Sequence, residues 1–233
     1  MKPILLLGAN FVRSQFLLLA IVLAYVICLS GFLAFHEQLP DLLFFIRQQA
    51  IYGVALGAMV MVPAIQNERK SRRILSVLSK GIHRWQYLAG LLCGAIVVAG
   101  LFCLEVGLSA MWLARQAAMP VTGLAELMLI LFFACAAGAA TALFCSVFLH
   151  PFLALGATAV ILLLPYAAEL NGLYPPGYFF PVSMILRLVF NFTFQRLGSS
   201  LWPIGIAALI HVAVFWMAAC AIFARQDVTV APE

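Results

Sequence analysis

The chain has 233 residues, of which 66% are hydrophobic and 9% charged, with a mean hydropathy of +1.12 and a net charge of +5. A soluble domain carries about 25% charged residues, and no water-soluble core could hide this much apolar surface. The composition therefore excludes a soluble enzyme or binding module and indicates an all-α integral membrane protein, a single helical bundle over residues 1–233. The bases are clustered, so the positive charge reads as an orientation signal and not as a nucleic-acid surface.

A helix needs about 20 apolar residues to cross the hydrocarbon core, and six runs meet or approach that length. The first, Phe16–Phe35, follows Lys2 and Arg13. It exceeds the roughly 7–15 residues of a secretory apolar region and leads into His36, Glu37 and Gln38 with no small-x-small pattern, so it is read as a retained span. The second is Phe44–Ile65, after a polar turn containing Pro40; the third is Tyr87–Leu113. The fourth is Leu124–Leu149, the fifth Phe152–Ala167 with Pro165 inside it, and the sixth Leu201–Ala224. Strands are not expected, because backbone polar groups in lipid must be satisfied within each segment.

Between spans two and three lies a charged island, Gln66–Tyr87, reading QNERKSRRILSVLSKGIHRWQY. It holds Glu68 and six bases: Arg69, Lys70, Arg72, Arg73, Lys80 and Arg84. With the amino terminus inside, nine of the 13 Lys and Arg fall on the cytoplasmic side, against Arg47, Arg115, Arg187 and Arg196 outside. The positive-inside rule then places both termini in the cytoplasm. Over about 68–80 the island is amphipathic: Ile74, Leu75 and Leu78 fall on one side, Arg72, Arg73, Ser76 and Lys80 largely on another. Gly81 ends that helix, and Trp85 and Tyr87 mark re-entry into lipid.

Between spans five and six, about residues 168–200, turn chemistry at Asn171-Gly172 and Pro175-Pro176-Gly177 precedes an apolar stretch from Pro181 to Arg196. In it Ser183, Arg187, Asn191 and Gln195 recur every four residues. This predicts a short external helix lying in, or dipping into, the outer leaflet.

The order of residues in the island, from Glu68 through Gly81 and Arg84 to Gly90, resembles the signature of ABC-2-type transporter permeases. Their cytosolic helix opens with Glu, has Gly four residues on and Leu-rich turns, then Pro-x-x-Arg, then Gly-Lys at the start of the next span. The match runs without gaps: Glu68, Arg84 and Gly90 coincide, while Arg72 replaces the Gly, Gly81 the Pro and Leu91 the Lys. The six-span layout with external re-entrant helices between spans five and six is similar along the full chain. The resemblance implies a transmembrane subunit of an ATP-driven transporter, usually an exporter, of the bacterial inner membrane. It implies pairing with a second copy or a homologous permease, and docking on a cytosolic ATPase that carries ATP and Mg2+. Glu68, Arg69, Arg72, Arg73, Leu75, Leu78, Gly81 and Arg84 would form the coupling surface. The chain itself is expected to hold no cofactor and to be no enzyme. A phosphate-binding loop ends in Gly-Lys-Ser/Thr, and none of its three lysines, Lys2, Lys70 and Lys80, follows a Gly.

Inside the bundle, Glu105 in span three would cost about 2.5–3.5 kcal/mol at mid-membrane. It reads either as a wall of the translocation path or subunit contact, or as a residue reaching headgroups. His211, mid-way through span six, reads first as hydrogen-bonded structure; it and the external Arg187 and Asn191 are, with Glu105, the candidates for the translocation path or a subunit contact. Glu126 and Glu169 near external span ends are expected to be solvated. The six cysteines read as buried thiols, and no metal site is expected. The small-residue run Ala134–Ala140 is a helix-packing surface. Two other functions are open: an intramembrane serine protease using Ser109 and His211, which requires hydrogen-bond reach between them, and a non-transporting membrane scaffold.

Overall fold

The structure, a computed structural model of the chain, describes residues 2–35, 39–66, 82–171, 180–194, 197–198 and 201–225. The expected coupling helix over 68–80, and with it Glu68, Arg69, Arg72, Arg73, Leu75, Leu78 and Gly81, lies outside the described residues. Among the described residues the fold is helical, without strands. The helices are α1 (Lys2–Ser14), α2 (Phe16–Leu33), α3 (Leu39–Met61), α4 (Arg84–Gln116), α5 (Thr122–Phe148), α6 (Pro151–Leu170), α7 (Pro181–Phe190) and α8 (Leu201–Arg225).

Six of these, α2 to α6 and α8, are long and apolar enough to cross a membrane, and they coincide with the six expected spans. At 1.5 Å per residue, the 33 residues of α4 extend for about 50 Å, well beyond a hydrocarbon core of about 30 Å. The spans divide by burial. In α3, α4 and α5, 67%, 56% and 78% of the most apolar window is buried, against 17%, 22% and 22% in α2, α6 and α8. The first three are thus the interior of the bundle. The outer helices turn Phe16, Leu17, Phe152, Leu164, Trp202 and Ile210 outward, a surface stable only against lipid or another apolar protein face.

Two close crossings set the bundle. On α5 every residue of Ala134–Ala140 is buried, as the small-residue run predicts, and α3 is the helix that fills it. A Cβ added at Gly57 would lie 2.7 Å from the Cys135 carbonyl oxygen, and one at Gly53 would lie 2.9 Å from the Cys135 Sγ. Backbones this close require glycine and gain dispersion contact along the seam. Cys103 on α4 meets Cys135 there, sulfur to sulfur at 3.9 Å, both as buried thiols. The expectation of six buried cysteines holds for Cys103, Cys135 and Cys145. Cys93 and Cys220 are half-buried, and Cys28 is exposed on the outer face of α2.

The second crossing involves α1, a helix the sequence reading did not anticipate. It ends at Gln15 (φ −96°, ψ 5°), and its buried residues Gly8 and Phe11 pack against the start of α4. A Cβ at Gly90 would come within 2.7 Å of the Leu7 Cβ, and one at Gly94 within 2.9 Å of the Gly8 carbonyl oxygen. Its opposite side exposes Leu5, Leu6, Asn10 and Arg13, a mixed apolar and polar face suited to a membrane–water boundary.

At the end of the bundle away from the island, α7 begins with Pro181 at its first turn, where a missing N–H costs nothing. The helix stops at Phe190 and does not continue to Arg196. Asn191 caps it by donating Nδ2–H to the Arg187 carbonyl at 3.0 Å, and Phe194 has φ 62°, outside any right-handed helix. The expected polar face is corrected accordingly. Ser183 is buried, its hydroxyl satisfied by the Phe180 carbonyl at 2.8 Å; Arg187 and Asn191 are exposed, and Gln195 lies outside the described residues. Two charged side chains hold this segment to the bundle. Arg47 of α3 donates Nη2–H to the Phe190 carbonyl at 2.7 Å, with the Phe190 ring 6.0 Å from its guanidinium carbon. Glu126 of α5 accepts the backbone N–H groups of Leu197 at 2.6 Å and Gly198 at 3.4 Å. Glu126 is therefore a structural acceptor for these two amides and not merely a solvated charge.

Candidate functional site

The described residues on either side of the island show how it is fastened. On its entry side, a turn at residues 62–63 follows α3 and leads into helical residues 64–66, and the Gln66 Nε2–H donates to the Leu149 carbonyl at 3.3 Å. Leu149 is the C-cap of α5, where the last carbonyls have no intrahelical partner. On its exit side, His83 is the extended N-cap of α4, and its backbone N–H donates to Gln86 Oε1 at 3.2 Å. This satisfies one orphan donor from within the first turn.

Arg84 follows, and its side chain is engaged within the chain. Nη1 donates to the carbonyls of Phe223 at 3.0 Å and Ala224 at 2.9 Å, in the last turn of α8. Its guanidinium carbon sits 6.0 Å from the Phe223 ring centroid. A cation at a helix C-terminus meets both the orphan carbonyls and the negative end of the macrodipole. One turn on, Tyr87 is buried and stacks on Phe223 with ring centroids 6.2 Å apart. Gly90 and Gly94 then receive α1. The island is thus tied at one end to α5 and at the other to α8, with α1 braced against its exit. Arg84 is the one residue of the expected coupling set among the described residues.

The remaining candidates do not gather into one cluster; each is engaged with its own neighbours. Glu105 is half-buried on α4 and accepts the Ser109 hydroxyl at 3.5 Å, one turn away on the same helix. His211 is buried on α8, with Nε2 2.9 Å from the Thr141 hydroxyl and its ring stacked on Phe215 at 4.3 Å. Thr141 donates its only proton to the Ala137 carbonyl at 2.9 Å, so the proton in the His211 contact belongs to Nε2. This bond fastens α8 to α5, the structural role the sequence suggests first. Ser109 and His211 each bond to a different partner, and the hydrogen bond a serine–histidine dyad needs is not among these contacts. Among the described residues, no three His, Cys, Asp or Glu side chains come together as a metal site.

No protein-family model matches the chain, and no curated protein matches it.

Proposed function

We propose that the chain is the transmembrane subunit of an ABC-2-type, ATP-driven transporter, working as an exporter with both termini in the cytoplasm. A second permease subunit would complete the pathway, and a separate cytosolic ATPase would supply ATP hydrolysis. The observation that carries this reading is the ungapped Glu68…Arg84…Gly90 pattern at the junction of spans two and three in a six-span chain.

The geometry around the island supports it in three ways. Gly90, which coincides with the family's glycine, is where α1 crosses α4, so a side chain there would push α1 away. Arg84 and Arg225, two of the nine bases expected on the cytoplasmic side, fall together at the island end of the bundle. A force applied to the island by a partner would reach α5 through Gln66 and α8 through Arg84, both by direct hydrogen bonds. Such linkage to separate spans is what a coupling element requires, since displacement must become relative helix movement.

The test is purification of the chain from its native membrane in a mild detergent. A Walker-type ATPase should co-purify, and ATP hydrolysis by the complex should fall on Glu68→Arg. Recovery of the chain with no ATPase, and with no nucleotide hydrolysis in the preparation, would favour the scaffold.

A further inference from the structure

The groove between α2 and α3 holds a polar arrangement that the fold alone leaves unexplained. Gln49 of α3 has a relative exposure of 0%, and neither its amide oxygen nor its amide nitrogen has a partner among the described residues. A buried primary amide offers two donors and two acceptor sites, and leaving them unmade is costly enough that such groups are rare without a ligand, ion or water. Gln49 lines a cleft of about 440 Å³, within the 300–1,000 Å³ range of small-molecule sites.

The other polar groups of this cleft lie beside it. Tyr25 of α2 and Tyr52 of α3 line it, their rings 6.0 Å apart. Gln48 donates its Nε2–H groups to both phenolic oxygens, at 3.0 Å and 3.1 Å. With both oxygens accepting from Gln48 and the two phenols also bonded to each other, one O–H of the pair remains to donate. The Gln48 Oε1 is buried and has no partner among the described residues. The rest of the cleft is apolar, with Leu18, Ile21 and Val22 on one side and Leu56 and Met59 on the other. Among the described residues no charged side chain lines it. Gln49 stands eight residues into its span from Asp41, roughly 12 Å along the helix, so the polar groups occupy one end of the cleft and the apolar walls continue from there.

We infer that this cleft binds an amphiphile with an uncharged, hydrogen-bonding head and an apolar tail, the head seated on Gln49, Tyr25 and Tyr52. Neutral donors and acceptors paired with no formal charge select hydroxyl- or amide-bearing heads, such as a glycosyl or glycerol group. They disfavour a phosphate, whose desolvation no charged group among the described residues of the cleft offsets, and a quaternary ammonium, which offers no hydrogen bond to the Gln49 amide or the tyrosine hydroxyls. This inference rests on the cleft itself and holds whether or not an ATPase drives the chain.

The experiment uses the full chain in nanodiscs and a dodecyl glucoside carrying a diazirine on its alkyl chain. Photolabelled peptides are mapped by mass spectrometry. Labelling concentrated on residues 18–25 and 49–59 is expected, competed by unlabelled dodecyl glucoside and by monoacylglycerol. Dodecyl phosphate and dodecyltrimethylammonium should compete at least tenfold less well. Gln49→Leu and the Tyr25→Phe/Tyr52→Phe pair should each lower this labelling several-fold. Gln49→Leu removes only an unmatched amide, so its Tm should be unchanged or raised, which separates lost binding from lost folding. Labelling spread evenly over the outward faces of α2, α6 and α8, or equal competition by the charged amphiphiles, would overturn the inference. So would wild-type labelling of a folded Gln49→Leu protein.

Discussion

Replacing Arg84 by alanine discriminates between two jobs for one side chain. The sequence resemblance assigns Arg84 to contact with a partner ATPase, whereas its guanidinium donates to the Phe223 and Ala224 carbonyls at the end of α8. A hydrogen bond from a charged donor is worth about 1.5–3 kcal/mol when buried. Arg84 is only half-buried and the Ala224 contact is exposed, so screening discounts the pair strongly. Adding a helix-dipole term of about 0.3–1 kcal/mol leaves a net loss on the order of 1–2 kcal/mol for Arg84→Ala. At about 2–4 °C per kcal/mol for a chain of this length, Tm should fall by about 2–8 °C in the isolated, detergent-solubilised protein with no ATPase present. Arg84→Lys, which retains the charge without the fork, should fall between. Arg13→Ala, on the exposed side of α1, should leave Tm unchanged. A wild-type Tm for Arg84→Ala would refute the clamp and return Arg84 wholly to a partner surface.

Gly57→Ala should destabilise the chain by about 1–2 kcal/mol. The 2.7 Å approach to a backbone oxygen forces α3 and α5 apart at an overpacking cost of roughly 1–3 kcal/mol, offset by up to about 1 kcal/mol of helix propensity. The same change at Gly31, where a Cβ meets nothing within 4 Å, should be neutral or slightly stabilising in the same thermal melt. Thr141→Val should cost about 1–3 kcal/mol by stranding the buried His211 Nε2–H, while Thr141→Ser should restore stability. Glu126→Ala should speed amide hydrogen exchange at Leu197 and Gly198, with Glu126→Gln intermediate, because a charged acceptor holds N–H groups more strongly than a neutral one. A fluorophosphonate probe should leave Ser109 unlabelled, since its hydroxyl is directed at Glu105 and His211 is held by Thr141.

The spans were the most legible feature, because twenty apolar residues between polar breaks encode a membrane crossing almost independently of what the helix touches. The small-residue run on α5 likewise announced a packing seam, though not that Gly53 and Gly57 of α3 would fill it. What escaped was set by tertiary contact. The segment Lys2–Ser14 is too short to read as a span and is ordered by its fit across Gly90 and Gly94, a relation between distant parts of the chain. Glu126 looked solvated because its partners, the Leu197 and Gly198 amides, lie 71 and 72 residues away. Gln48 and Gln49 sit unremarked in an apolar run, and only the approach of Tyr25 from α2 turns them into a polar cleft. The four-residue spacing of Ser183, Arg187 and Asn191 suggested a longer helix than exists, since periodicity continues past the point where Asn191 caps it.

The central claim is that the island is where a cytosolic ATPase grips this chain. Its most direct measurement is site-specific photocrosslinking in native membranes, with benzoyl-phenylalanine placed singly at Arg72, Leu75 and Leu78, and at Leu209 on the outward face of α8 as a control. The account predicts that the island positions yield an adduct with one P-loop ATPase, strengthened or weakened by ATP, and that Leu209 yields none. Island adducts with lipid alone, or with a protein lacking a nucleotide-binding loop, would contradict it.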